Sequence, residues 1–353
     1  MIPKRDKQRI GQRLLDGFRE AGAVEVAPDL LLPAETLLDL YGEDIRARAY
    51  VTTDPIRGEV MLRPDFTVPV VQMHMSGGAE PARYCYLGEV FRKQDMGDTR
   101  PENPRDNEYL QCGFELFSRE AGADAETFAL FYHQLAGYDL TAETGDMGLL
   151  LDAVRGLPLP AARCDALLHH IWRPGRFQRL LDRFSAPPRS RDFAAGAVPW
   201  AGLRGEDEMA ARIARLQSDG AEPALPAIWS DRLSRLFAVR DIAPLALERL
   251  TELATEVPAI SEAVSRIADR FAHIARLGID PATIIFDASH GRHNMEYYDG
   301  FTFSFLSRHA DWPPVATGGR YDALMAVLGK GRAIPAVGGI IRPGLIAELE
   351  AGQ

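Results

Sequence analysis

Hydrophobic residues recur with a helical period in two bounded segments of the chain. In the first segment, one face carries Ile10, Leu14, Leu15 and Phe18. In the second, the positions that share a face are Ile260, Val264, Ile267, Phe271 and Ile274. Pro258 suits the first turn of the second helix, and Gly22 and Gly278 follow the two segments as stop signals. The pattern predicts two amphipathic helices packed along their apolar stripes.

Strand-like patterns occur early and late in the chain. The candidate segments are 46–52, 59–63, 83–87 and 109–117, followed after a long gap by 283–288, 297–306, 314–317 and 336–341. The intervening stretch is rich in Ala, Leu, Arg and Pro and poor in β-branched runs, which favours helices. We therefore predict an α+β protein whose core comprises 1–151 and 277–353, with an inserted, mainly helical module at 152–276.

Charge and cysteine usage exclude several classes of protein. The formal net charge of −10 and the pI of about 5.4 disfavour a nucleic-acid partner, because such binding depends on Lys and Arg neutralising phosphates. No run approaches the ~18 apolar residues of a membrane span, and the charged first residues do not form a signal peptide. Cys85, Cys112 and Cys164 have no paired spacing, which is typical of a reduced, cytoplasmic protein. The eight histidines show no metal-ligand spacing, so we expect neither a metal nor a cofactor.

The segment 297–306 alternates cleanly between two kinds of side chain. One face is aromatic, and the other carries Tyr298, Gly300, Thr302 and Ser304. Small and hydroxyl-bearing residues beside a tyrosine suit the floor of a site for a small polar ligand. A half-buried strand with one face in solvent explains the same pattern and is favoured on the pattern alone.

Further short segments carry candidate polar groups, each with a structural alternative. Asp65 and Thr67 would hold an ammonium or imidazole N–H, or would cap a helix. Gln111 and Glu115 share a strand face that would line a pocket or face solvent. Arg92 would hold an anion by its fork, or would pair with a nearby surface carboxylate. In isolation the structural alternative is favoured for each of the first two pairs.

The order of these segments resembles the catalytic core of histidyl-tRNA synthetase. The matching stretches are Arg63-Pro64-Asp65-Phe66-Thr67, Phe91-Arg92, Gln111-Cys112-Gly113-Phe114-Glu115, Tyr297-Tyr298-Asp299-Gly300, Gly319-Arg320-Tyr321-Asp322 and Pro335-Ala336-Val337-Gly338. The resemblance covers about 1–150 and 280–345. It implies a class II aminoacyl-tRNA synthetase-like fold, in which helices flank an antiparallel sheet, and a dimer with Pro33 at its interface.

The same resemblance implies a histidine-binding pocket. The residues that match the family's pocket are Asp65, Thr67, Gln111, Glu115, Tyr297, Tyr298 and Tyr321. Asp65 stands where the family has a glutamate near the amino group of the substrate, and Tyr321 matches a tyrosine that approaches the imidazole. The carboxyl of Asp65 is one methylene shorter than that of the family's glutamate.

The positions that activate histidine in the family are changed. Asn107, His293 and Leu345 stand where the family has arginines, whereas Arg92 is retained. Losing one group that stabilises developing charge typically lowers a rate by about 10²–10³, so we expect no catalytic residue and no synthetase activity. Arg342 lies near the third position, but Pro343 argues against a normal helical continuation there.

We also expect no anticodon-binding domain, since the chain ends at Gln353. A histidine pocket without adenylation resembles the regulatory subunit family of ATP phosphoribosyltransferase. That resemblance implies a short catalytic subunit as partner, self-association, L-histidine as ligand, and no tRNA or membrane partner. The subunit would activate its partner and mediate feedback inhibition of histidine biosynthesis. The alternatives are a synthetase-like protein with residual histidine activation and a histidine sensor for another partner.

Overall fold

The computed structural model describes residues 2–35, 49–93, 107–189, 205–292, 298–329, 332 and 334–352. Two residues singled out above, His293 and Tyr297, lie outside these ranges. The statements that follow concern the described residues.

The helices and strands follow the predicted division of the chain into strand-rich ends and a helix-rich middle. The helices are α1 (Lys4–Glu20), α2 (Thr67–Met75), α3 (Ala123–Gln134), α4 (Met147–Arg155), α5 (Ala161–His169), α6 (Pro174–Ser185), α7 (Glu206–Ala221), α8 (Ala227–Phe237), α9 (Ala243–Glu256), α10 (Ser261–Arg276), α11 (Asp322–Leu328) and α12 (Pro343–Gly352). The strands are β1 (Val24–Glu25), β2 (Leu31–Pro33), β3 (Val51–Asp54), β4 (Gly58–Leu62), β5 (Ala82–Phe91), β6 (Glu108–Phe117), β7 (Thr141–Asp146), β8 (Arg240–Ile242), β9 (Ile284–Asp287), β10 (Phe301–Leu306), β11 (Ala316–Arg320) and β12 (Ala336–Ile341).

Within the described residues, the strands form a nine-stranded sheet and a separate three-stranded sheet. The large sheet has the order β1-β5-β6-β12-β11-β10-β7-β9-β8. Its six central strands, from β5 to β7 in this order, pair antiparallel. The pairs β1–β5 and β7–β9 are parallel, so the sheet is mixed at its margins. The α+β architecture is as predicted.

One face of the large sheet carries the main apolar core. The aromatic face of β10 packs on α3, where the ring of Phe128 lies 5.6 Å from that of Phe305 and the ring of Phe131 lies 5.2 Å from that of Phe303. The apolar stripe of α1 covers the neighbouring strands, with Phe18 5.5 Å from Phe114. The apolar side chains that share a face of α1 and the aromatic side chains of β10 therefore lie in the same core layer.

Several predicted boundaries need correction. β10 begins at Phe301, whereas the alternation predicted a strand from residue 297; the described residues 298–300 are not in a strand. Pro258 begins a short 3-10 helix, Pro258–Ile260, and α10 starts only at Ser261. The strand predicted at 314–317 is β11, which spans Ala316–Arg320.

The described residues between 156 and 276 form helices α5 to α10, a short 3-10 helix, connecting loops, and β8, which pairs with β9 at the edge of the large sheet. The apolar core continues from the sheet into this region, since Phe177 of α6 and Phe303 of β10 belong to one cluster of buried residues. The division into a core and an inserted module stays a prediction.

The small sheet has the order β2-β4-β3. Pro33 ends β2, is exposed and pairs with Val60 of β4. The role of Pro33 in a dimer interface stays a prediction. Among the described helices, none is both long enough and apolar enough to cross a membrane.

Candidate functional site

The candidate site lies on the face of the large sheet that is opposite the main aromatic core. Gln111, Gly113 and Glu115 alternate along β6 and point to this face. Glu115 stands opposite Gly338 of β12, where a Cβ would overlap the Glu115 carboxylate. A Cβ at Gly113 would likewise overlap the ring of Tyr86 on β5. Glycines therefore make the space in which these polar groups meet.

Glu115 is the centre of a buried hydrogen-bond network. Its carboxylate accepts hydrogen bonds from the hydroxyls of Thr67 at 3.1 Å, Tyr86 at 3.0 Å and Tyr321 at 2.5 Å. Burial raises the pKa of Glu115 to about 7, against the lowering effect of the three hydroxyl donors, and the charge of Asp65 raises it further. Glu115 therefore keeps its proton to a higher pH than an exposed glutamate does.

Tyr86 was missed by the sequence analysis. Its hydroxyl bonds Glu115, and its ring stacks 4.2 Å from that of Phe66 at an interplanar angle of 10°. The Arg63 guanidinium lies 3.9 Å above the Phe66 ring, and its Nη1 donates to the Pro28 carbonyl at 2.7 Å. The strand alternation that placed Gln111 and Glu115 on one face was the available signal for Tyr86, because β5 and β6 are paired.

Asp65 and Thr67, each predicted either to bind a ligand or to cap a helix, differ in the contacts they make. The carboxylate of Asp65 accepts from the backbone N–H of Val68 at 3.4 Å, a contact of the capping kind at the start of α2. The Thr67 hydroxyl makes no such cap and donates to Glu115. Asp65 is also close enough to Glu115 to raise its pKa. Both residues are buried beside the pocket centre.

Gln111 offers an acceptor that the described residues leave open. The side chain is 2% exposed, and its Nε2 donates to the Tyr109 hydroxyl at a long 3.4 Å. Its Oε1 is buried and has no hydrogen-bond partner within the described part of the chain. A buried acceptor without a donor costs free energy, so this oxygen points to a donor on a ligand.

Tyr298 and Tyr321 come from different strand ends and close the same side of the site. Both are buried and belong to one cluster with Phe66 and Tyr86. The ring of Tyr298 lies against Gly319, where a Cβ would sit 2.8 Å from it. The structure thus brings together six of the seven predicted pocket residues, and the seventh, Tyr297, lies outside the described residues.

The small-residue face of β10 is occupied by a side chain of the protein itself. The His290 imidazole makes hydrogen bonds to Thr302 Oγ1 at 2.7 Å and Ser304 Oγ at 3.0 Å. Burial lowers the pKa of His290 to about 4, so the ring is neutral. Both interpretations of this face, a ligand floor and a solvent face, are therefore wrong for Thr302 and Ser304.

Arg92 uses part of its donor set within the protein. Its Nε donates to the Pro64 carbonyl at 2.8 Å, which ties the end of β5 to the segment before α2. Of the two carboxylates near Arg92 in the sequence, Glu89 and Asp95, Glu89 forms an ion pair with Lys4 at 3.1 Å. Asp95 lies outside the described residues. An anion-binding role for Arg92 stays a prediction.

Two of the changed activation positions are described. Asn107 is exposed, and its carbonyl accepts from the backbone N–H of Arg92 at 2.8 Å. Leu345 is half-buried and packs against the main core. Pro343 begins α12, so a helix does form there, and the preceding Arg342 donates to the Pro314 carbonyl. The neutral side chains of Asn107 and Leu345 leave these two positions without a cation.

Comparison with known proteins places this site in a family. A family model described as histidyl-tRNA synthetase matches residues 4–225 and 212–343. The ATP phosphoribosyltransferase regulatory subunit of Mesorhizobium japonicum is 32% identical over 352 residues, covering 91% of this chain and 91% of that protein. That of Allorhizobium ampelinum is 30% identical over 357 residues, covering 92% and 93%. The chain belongs to the histidyl-tRNA synthetase-like family of ATP phosphoribosyltransferase regulatory subunits.

Solved structures establish the fold of this regulatory-subunit family member. A Bacillus halodurans protein described as an ATP phosphoribosyltransferase regulatory subunit/histidyl-tRNA synthetase has a TM-score of 0.72 at 20% identity, covering 99% of this chain and 80% of that chain. Histidyl-tRNA synthetase from a Nostoc species has a TM-score of 0.65 at 18% identity, covering 98% and 73%. The predicted class II synthetase-like fold is confirmed.

Proposed function

We propose that this chain is a non-catalytic subunit that binds L-histidine and regulates the short catalytic subunit of ATP phosphoribosyltransferase. That enzyme catalyses the first step of histidine biosynthesis. In this proposal it activates its partner when the pocket is empty and inhibits it when histidine is bound. Histidine shifts the complex towards the inhibited state if it binds that state more tightly, and the difference in affinity sets the size of the shift. The relatives' name supports the regulatory role.

The observation that carries the histidine-binding part is the set of acceptors around Glu115. Histidine presents N–H donors at its ammonium and at its imidazole. Gln111 Oε1 is a buried acceptor without a partner in the described chain, and Glu115 and Asp65 place two carboxyls in the same buried region. A cationic donor entering here would pair with both kinds of group, which favours an amino acid with a basic side group.

Loss of adenylation is the second part of the proposal. Adenylate formation requires positive side chains that stabilise charge developing on the phosphates. Leu345 packs into the core, and Asn107 carries no charge. The match to the synthetase family model and the retained Arg92 favour the rival proposal of residual histidine activation. Histidine-dependent exchange of pyrophosphate into ATP separates the two proposals, and we expect none.

Calorimetry tests the binding proposal. L-histidine is titrated into the purified chain and into its mixture with the short catalytic subunit, whose activity is assayed in parallel. We expect saturable binding, histidine inhibition of the mixture, and a loss of about ten-fold or more in affinity in Gln111→Ala, since a hydrogen bond to a charged group contributes about 1.5–3 kcal/mol. Tyr298→Phe tests the pocket wall.

Gln178→Ala is the matched control, because Gln178 is an exposed glutamine on α6 that bonds only to Asp182 among the described residues. It should bind histidine as the wild type does. Absence of binding in both the chain and the mixture would rule out the histidine sensor. Binding without inhibition of the mixture would point to a histidine sensor for another partner.

Self-association belongs to the same proposal, with Pro33 at the contact. Sedimentation of the chain alone gives its mass, and Pro33→Asp should shift the species towards monomer, since a charge buried at an interface without a partner opposes association. An unchanged dimer in this variant would place the interface elsewhere.

A further inference from the structure

A continuous series of charged side chains runs through the protein beside the candidate pocket. Asp146, Arg270 and Asp124 are each less than 10% exposed. The Arg270 guanidinium donates to both carboxylates, to Asp146 Oδ2 at 2.8 Å through Nη2 and to Asp124 Oδ2 at 2.9 Å through Nε. One arginine thus joins the end of β7 to the start of α3.

Arg320 of β11 extends the series towards the pocket. Its Nε and Nη2 donate to Asp124 Oδ1 at 2.9 and 2.6 Å, so Asp124 is shared between two arginines. The Nη1 of Arg320 donates to Asp322 Oδ1 at 3.2 Å, and that oxygen also accepts from the backbone N–H of Ala336 at 2.9 Å. We call the series from Asp146 through Arg270, Asp124 and Arg320 to Asp322 the charge relay.

Asp299 attaches the relay to the pocket wall. Its carboxylate accepts from the backbone N–H groups of Asp322 at 3.0 Å and Ala323 at 2.7 Å. Its own N–H donates to the Arg320 carbonyl at 3.1 Å. Asp299 and Asp322 directly follow Tyr298 and Tyr321 in the sequence. Asp299 therefore fastens the segment of one pocket tyrosine to the segment of the other.

The other end of the relay lies in the helices around residues 147–276. Asp146 caps α4, since its Oδ1 accepts from the Leu149 N–H at 3.2 Å. Arg270 belongs to α10 and lies 4.5 Å above the Phe301 ring. A shift of β11 at Arg320 would stretch hydrogen bonds that hold both helices.

The buried ion pairs of Arg270 with Asp124 and Asp146 transmit such a shift because they tolerate little distortion. A charge that loses its partner in the interior carries a large desolvation penalty, so the members move together or break. The arginines lower the pKa of Asp124 although burial acts to raise it, which keeps that carboxylate ionised. We propose that the charge relay couples occupancy of the pocket to the arrangement of α4 and α10.

Asp299 and Arg320 are positioning residues in this account, because they act through Tyr298 and Tyr321 and need not touch the ligand. The coupling rests on the proposed function, in that histidine is the ligand whose arrival it reports. The mechanical connection between pocket wall and helices has its own test in the protein without ligand.

The test is amide hydrogen exchange of the full chain, followed in peptides that cover 108–117, 147–155 and 261–276. In the wild type, saturating L-histidine should slow exchange in all three regions, by about five-fold or more in the two helical ones, which is the lower end of usual coupling between sites. Arg320→Lys keeps the charge but not the fork that holds Asp124 and Asp322 together. Histidine should still slow exchange at 108–117 in this variant and leave both helices unchanged.

Arg266→Lys is the control for the Arg320→Lys experiment. Arg266 lies on α10, as Arg270 does, but pairs with Asp152 at the surface. It should respond as the wild type does. In the arm without histidine, Asp299→Asn should accelerate exchange at 147–155 and 261–276. Its control is Asp54→Asn, because Asp54 is a half-buried aspartate that also accepts from two backbone N–H groups, those of Ile56 and Arg57.

The outcomes separate the two proposals. If the wild type binds no histidine but Asp299→Asn accelerates exchange in the helices, the relay stands and the histidine sensor fails. If histidine binds and protects only 108–117, the coupling is overturned and the sensor stands. Unchanged helices in Asp299→Asn likewise overturn the coupling, whatever histidine does.

Discussion

The candidate pocket and the charge relay are two polar regions around the same sheet, and different donors bond the buried carboxyl groups at their centres, Glu115 and Asp124. In the pocket, three hydroxyls and no cation of the described residues form hydrogen bonds with Glu115. In the relay, Asp124 receives three N–H groups from two arginines. Burial raises the pKa of Glu115 to about 7, whereas the arginines lower that of Asp124.

This difference separates a group that is ready for a ligand from one that is not. A carboxyl without a cation in the interior is stabilised by an arriving cationic donor, while a carboxylate saturated by arginines gains nothing from one. A buried carboxyl with a raised pKa is therefore a stronger indication of ligand binding than a buried ion pair. Three measurements test this difference between the two regions.

The largest expected effect is the cost of removing the centre of the relay. Asp124→Ala should lower the free energy of unfolding by about 3–5 kcal/mol, because the buried Arg270 and the half-buried Arg320 lose a partner. The matched control is Asp152→Ala, since Asp152 also bridges two arginines, Arg155 and Arg266, but at the surface. The control should cost less than about 1 kcal/mol.

Urea unfolding of the two variants measures both values. Equal losses would mean that burial does not distinguish the relay from an ordinary surface bridge, and the contrast with the pocket would disappear.

The next effect is the pH dependence of stability. The pKa of Glu115 is raised in the folded state, so the stability contributed by its protonated form is fully present below the unfolded value of 4.5 and is lost as the pH rises through about 7. Between these values the wild type should lose up to roughly 3 kcal/mol relative to Glu115→Gln, which cannot ionise. The lowered pKa of Asp124 contributes a stability that is lost only in acid, below its ordinary value of 3.8.

The measurement is urea unfolding of both proteins at several pH values between 5 and 8. Parallel stability curves would show that Glu115 titrates as an ordinary exposed glutamate does.

The same titration predicts that histidine binds more tightly as the pH rises through about 7, because the carboxylate form attracts the ligand's ammonium.

The smallest effect concerns a single hydroxyl. Tyr86→Phe removes one hydrogen bond to Glu115 and should cost about 1 kcal/mol of stability, together with a weaker affinity for histidine. Tyr132→Phe is the control, since the Tyr132 hydroxyl makes only a long 3.4 Å contact with Thr283 near the surface. A variant at Tyr86 that behaves like this control would remove Tyr86 from the pocket.

Much of the fold was predictable because its local patterns agree with its packing. The stripe on α1 is buried as the helical period requires, and β12 spans Ala336–Ile341 as the sequence predicted. The prediction also placed the described residues 298–300 in β10, because the alternation continues through Tyr298 and Gly300, although the backbone there turns to meet Arg320. Alternation reports which way side chains point and carries no information on where pairing stops.

The site was only partly predictable. Alternation put Gln111 and Glu115 on one strand face but favoured a solvent face over a pocket. For Thr302 and Ser304 both interpretations failed because His290 covers them. Family resemblance, and not periodicity, selected the remaining pocket residues. Its pocket positions did not include Tyr86, whose hydroxyl donates to Glu115.

The sequence by itself determined the elements that depend on neighbours a few residues away: the apolar stripes of α1 and α10, the alternation of β6, and the order of motifs that indicates the family. Only the tertiary structure decided the hydrogen-bond partners and the pKa of Glu115. Its hydroxyl partners Thr67 and Tyr321 are 48 and 206 residues away in the chain, and its pKa depends on burial beneath them. Helical and strand periods follow from local backbone geometry, whereas desolvation and hydrogen bonding depend on which distant segments the fold brings together.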